Sequence, residues 1–72
     1  MLVEILEGTF VRADKIDRIE TYESVGGGPT VRVHTVNQHG PRDFKKNYET
    51  METARQVTGE IANRVNYALR KE

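Results

Sequence analysis

VGGGPTVRVHT, from Val25 to Thr35, decides the fold. Three glycines and a proline lead straight into a stretch where apolar and polar residues alternate. In an extended chain Val31, Val33 and Thr35 share one side, and Thr30, Arg32, His34 and Val36 share the other. A strand that begins at the glycines excludes a phosphate-cradling loop. Such a loop aims backbone N–H groups at the anion from the start of a helix, and the Walker pattern needs a lysine and a hydroxyl residue after its last glycine. Here Pro29 follows, without an N–H, and no helix opens. A dinucleotide-binding fingerprint fails for the same reason. The glycines read as the flexible tip of a β-hairpin, a tip able to order when something binds.

The neighbouring segments extend this sheet. Upstream, RIETYES (18–24) alternates, with Ile19, Thr21 and Glu23 on one face. Ile16 and Ile19 stand three apart, a helical spacing. Asp14 is placed to cap a single turn over Lys15–Asp17, which would lay both isoleucines on the sheet. LVEIL (2–6) and TFVRA (9–13) read as two strands of a hairpin around Glu7 and Gly8. Downstream, NQHGP (37–41) is a turn by composition. RDFKKNY (42–48) follows as an edge strand, Phe44 facing in and its lysines guarding the exposed edge.

The period changes at Thr50. Met51, Ala54, Val57, Ile61, Val65 and then Ala68 or Leu69 recur at gaps of three and four, the stripe of an amphipathic helix. Thr50 or Asn47 can cap its start. Glu60 and Arg64 stand at the supporting i,i+4 spacing, and Arg70 and Lys71 suit the negative end of the helix dipole. Gly59 costs roughly 1 kcal/mol against alanine inside a helix. It is either tolerated there or allows a partner's backbone to approach.

Strands first and one helix last predict an α+β domain: a small, mostly antiparallel sheet of three to five strands, followed by one long C-terminal helix packed on one face. Residues 1–72 read as one domain, with the sheet in 1–47 and the helix over 50–70. The expected core is Val3, Ile5, Phe10, Ile16, Ile19, Val31, Val33 and Phe44 from the sheet, and Ala54, Val57, Ile61, Val65 and Leu69 from the helix. From Thr50 to Arg70 the helix would run about 31 Å at ~1.5 Å per residue. A common strand spans only ~17–20 Å, so the helix is expected to overhang the sheet or to pack on a second copy.

Composition narrows the functions. A chain of 72 residues buries roughly 60% of its unfolded surface, which leaves a thin core. Without cysteine it has neither a disulfide nor a thiolate metal site to staple that core. Small unstapled domains often lean on a second subunit. Eleven basic side chains balance eleven acidic ones, unlike the basic excess of a typical nucleic-acid binder. No apolar run approaches the ~20 residues that span a bilayer. MLVEILEG carries acids and no basic flank, so it is not read as a signal peptide, and the expected location is cytoplasmic.

Catalytic constellations are missing from this reading. Ser24 is the only serine, in a loop. Glu20 and Glu23, three apart on a strand, point to opposite faces. His34 and His39 are the only histidines and read as a solvated pair, too few for a metal site even with Asp43. No enzyme activity, cofactor or metal is therefore expected. The candidate ligand-binding group is His39, Arg42, Lys45 and Lys46, basic residues interleaved with Phe44, which suit an anionic ligand or nucleic acid. The plain alternative is a soluble edge strand. The candidate interface is Val57, Gly59, Ile61 and Tyr67 on the helix. In size and layout the chain is similar to small accessory proteins of bacteria and phages, a likeness that transfers no site residue. Two functions are carried forward: a non-enzymatic, homo-oligomeric module that binds another protein, and a binder of a nucleotide-like anion or nucleic acid through 39–46.

Overall fold

The alternation around Val31 and Val33 builds the centre of the molecule. In the computed structural model, which describes residues 1–71, strand β4 (Gly28–Asn37) lies between β3 (Ile16–Ser24) and β5 (Gly40–Asn47) in a three-stranded antiparallel sheet. Glu72, the last residue of the expected domain, lies outside the described residues. Val31, Val33 and Thr35 are buried on the face that the alternation assigns them, while Arg32 and His34 are half-buried on the other. The glycines form the β3–β4 hairpin tip, as read. Ser24 pairs with Gly28, the Gly27 N–H donates to the Ser24 carbonyl at 3.2 Å, and Gly26 takes φ +79°. Positive φ at the second central position marks a type II turn. The β4–β5 turn closes on an Asn37–Gly40 pair, and the His39 N–H donates to Asn37 Oδ1 at 2.8 Å.

The helical spacing of Ile16 and Ile19 has a different cause from the one expected. Ile16 pairs with Thr35 and Arg18 with His34, so β3 carries one extra residue at this point. That β-bulge turns two residues three apart onto one face. The helical turn lies two residues earlier than expected, as a 3₁₀ turn over Ala13–Lys15. Asp14 sits inside this turn instead of capping it and takes the Arg12 guanidinium at 3.2 Å.

Strands β1 (Leu2–Leu6) and β2 (Thr9–Arg12) make a separate two-stranded antiparallel sheet, so the five strands divide between two sheets. Their hairpin turns at Glu7 and Gly8, with φ +81° at Gly8. Val3 faces Val11 across this pair, and Phe10 faces Glu4. Cross-strand partners share a side; Val3 and Val11 turn inward, and Phe10 is left 58% exposed. The expectation of a core Phe10 is thus corrected. Between two adjacent apolar residues, β1 pairing selects Val11.

Helix α1 (Met51–Lys71) is capped by Thr50, whose Oγ1 accepts the Thr53 N–H at 3.1 Å. Asn47 does not cap it; its Oδ1 lies 2.9 Å from the buried Thr30 hydroxyl. Ala54, Ile61, Val65 and Ala68 are buried, with Met51 and Val57 partly so. Ala68 replaces the expected Leu69, which is 46% exposed. The Thr58 hydroxyl donates to the Ala54 carbonyl at 3.0 Å and accepts from Thr21 at 2.5 Å, a polar pin between helix and sheet. The expected overhang is corrected too. At ten residues β4 spans about 33 Å at ~3.3 Å per residue, a match for the helix. The helix lies along β1, β3 and β4. No helix among the described residues is long and apolar enough to cross a membrane.

Candidate functional site

The four basic residues of 39–46 divide among three places. His39 occupies the β4–β5 turn, its ring 3.4 Å from the Gln38 amide. Arg42, Phe44 and Lys46 share the core-side face of β5, opposite Thr35, Val33 and Val31 of β4. Lys45 takes the other face, opposite Arg32. Lys46 is engaged within the chain, 3.3 Å from Glu7 and 5.6 Å from the Tyr48 ring centroid. The Arg42 guanidinium stacks 5.0 Å from the Phe44 ring centroid, and no described carboxylate pairs with it.

Sequence reasoning did not find the ion network on the outer face of the three-stranded sheet, because the register decides it. Arg32 stands opposite Glu20 of β3 and Lys45 of β5; His34 stands opposite Arg18 and Asp43. Glu20 Oε1 accepts from Arg32 at 2.7 Å and Arg18 at 2.9 Å. Arg32 also reaches Asp43 at 3.9 Å and lies 5.4 Å from the Tyr22 ring centroid. The His34 ring bonds Asp43, so this histidine is a half-buried member of the network and not the solvated one expected. The Arg32 hydrogen bond holds the Glu20 carboxyl below its ordinary value against the opposing pull of burial, and Arg18 adds to it. The hydrogen bond with His34 likewise lowers Asp43. Arg32 is raised in return, first by its bond to Glu20. Every carboxylate here has a cationic partner, which is an arrangement for holding three strands in register.

Among several surface depressions, two bear on the helix face and on Arg42. One is a groove of about 390 Å³ between β1 and the C-terminal half of α1, with Leu2, Glu4, Arg64 and Tyr67 on its walls. The other, of about 330 Å³, lies between the two sheets and brings Arg12, Lys15 and Arg42 beside Phe10 and Phe44. Of the helix residues expected at an interface, Tyr67 is 60% exposed in the groove. Gly59 is exposed, and a Cβ added there meets nothing within 4 Å. Val57 is half-buried against the core. Ile61, at 0% exposure, lies wholly inside the chain's own core and has no surface to offer a partner. No three of His, Cys, Asp and Glu come together as a metal site among the described residues.

Comparison of the chain with known protein families, with curated proteins and with solved structures finds no match.

Proposed function

We propose that the chain is a small, non-enzymatic, cytoplasmic interaction module of the accessory or regulatory kind, whose first protein partner is a second copy of itself. The β1–α1 groove carries this reading. Leu2 is 63% exposed and Tyr67 60% exposed on its two sides, two large apolar-bodied side chains presented together by a small chain. Tyrosine is enriched where protein surfaces meet, because its ring is apolar and its hydroxyl stays hydrogen-bonded. The walls also carry both signs of charge, Glu4 and Arg64. A patch of mixed charge can meet itself across a two-fold axis.

Cross-linking tests the reading on a chain with no cysteine of its own. Asn63 lines the groove and is exposed, so Asn63→Cys is expected to give a disulfide-linked dimer under mild oxidation. Val25→Cys, at the fully exposed hairpin tip, serves as the control and is expected to stay monomeric. Equal cross-linking of the two, or none at Asn63→Cys, contradicts the groove as the contact.

A further inference from the structure

The geometry points to a second binding site, for a nucleotide unit, in the cleft between the two sheets. Its walls bring together parts of the chain that are far apart in sequence: Phe10 and Arg12 from β2, Lys15 from the 3₁₀ turn, Asn37 from the end of β4, and Arg42 and Phe44 from β5. Three cations line this one cleft of a chain with no net charge, and no described carboxylate lines it. Asp14 is the nearest in function, bound to Arg12 at 3.2 Å. Lys15 and Arg42 have no described carboxylate partner. The Asn37 Oδ1 already accepts the His39 N–H, which leaves the amide NH₂ to donate. The polar groups offered are therefore donors, matched to an acceptor-rich anion such as a phosphate.

The rings supply the other half. Phe10 stands 58% exposed on the outer face of its hairpin, and Phe44 is half-buried under the Arg42 guanidinium at 5.0 Å. An aromatic ring and an arginine plane beside a cationic rim are the elements that stack a base and hold its phosphate. A volume of about 330 Å³ stands at the lower end of ligand sites, ~300–1,000 Å³, which suits one nucleotide. That unit has two sources, a free mononucleotide or one residue of a single-stranded nucleic acid. Leu2 lines both this cleft and the groove of the proposed self-association, whereas Tyr67 lines the groove alone and Phe10 and Arg42 the cleft alone, so variants at those positions test the two sites separately.

Amide chemical shifts followed by NMR decide it, with 5′-AMP, adenosine, inorganic phosphate and a short oligothymidylate as separate titrants. The expected result is movement of the Phe10, Lys15, Arg42 and Phe44 amides, with AMP or the oligonucleotide binding more tightly than adenosine or phosphate. Tighter binding of AMP assigns the free nucleotide; tighter binding of the oligonucleotide assigns the strand. For a strand neutralised by three cations, log K should fall against log salt with a slope of about −2. Phe10→Ala should weaken binding at least about fivefold by loss of stacking. Arg42→Gln should weaken it roughly tenfold. Both side chains are solvent-exposed, and unchanged urea midpoints will show that the variants fold. Binding weaker than ~1 mM by both nucleotide probes, equal binding of phosphate and AMP, or equal binding by the folded variants overturns the site.

Discussion

At the residue scale, the glycine tip depends on two of its three glycines. Gly26 and Gly28 have φ of +79° and +71°, a region that costs an L side chain about 1–2 kcal/mol. Gly27 has no such need. Its added Cβ would come within 2.9 Å of the Ser24 hydroxyl and 3.3 Å of the Asn47 amide nitrogen, the movable ends of two side chains. Gly27→Ala is therefore expected to change stability by less than about 1 kcal/mol, and Gly26→Ala and Gly28→Ala to cost more. Urea unfolding of the three variants checks the order, and a larger loss at Gly27 contradicts it. The sheet network makes a second prediction. Glu20 and Asp43 titrate lower in the fold than in the unfolded chain. Their contribution is complete above the unfolded carboxyl values, ~4, and is lost as pH falls through the lower folded values. The urea midpoint should drop on acidification over that window. A Glu20→Gln, Asp43→Asn double variant should lose part of this dependence; an identical acid profile in the variant would mean that the bonds do not shift the carboxyls.

At the scale of elements, α1 can be made more stable and less stable by known amounts. Gly59 lies on an exposed helical face with open space around it, so Gly59→Ala should stabilise the chain by about 1 kcal/mol. Thr50→Ala removes the cap on the Thr53 N–H and should cost about 1 kcal/mol. Thermal unfolding of both variants measures the two shifts, and a destabilising Gly59→Ala would show that the site is not open. The helix was legible because its period persists over 21 residues. β4 was legible because one of its faces is buried and its alternation is clean. Other features depended on pairing. Ile16 and Ile19 suggested a helical turn, but a bulge against β4 produces the same spacing. Phe10 and Val11 are adjacent and both apolar, and only their partners in β1 decide which one enters the core. Likewise, Arg32, Glu20, Asp43 and His34 lie on three strands and become neighbours only through the register.

At the scale of the whole molecule, two sequence arguments for self-association changed weight once the chain was folded. The helix is not too long, because β3 and β4 run to nine and ten residues and lie along it. Ile61 is spent on the chain's own core. The basic segment also divides, with Lys46 engaged by Glu7 and Arg42 directed to a cleft with Arg12 and Lys15. What supports a second copy is the exposed pair Leu2 and Tyr67 on the β1–α1 groove, a juxtaposition of the first strand with the last turns of the helix. Sedimentation equilibrium at micromolar concentration tests this claim most directly. The mass of one chain is 8.2 kDa. The account predicts a two-chain mass for the wild type and a return to one chain in Tyr67→Asp, whose exposed position leaves the fold intact. A wild-type mass of 8.2 kDa, with cooperative unfolding independent of concentration, would contradict it.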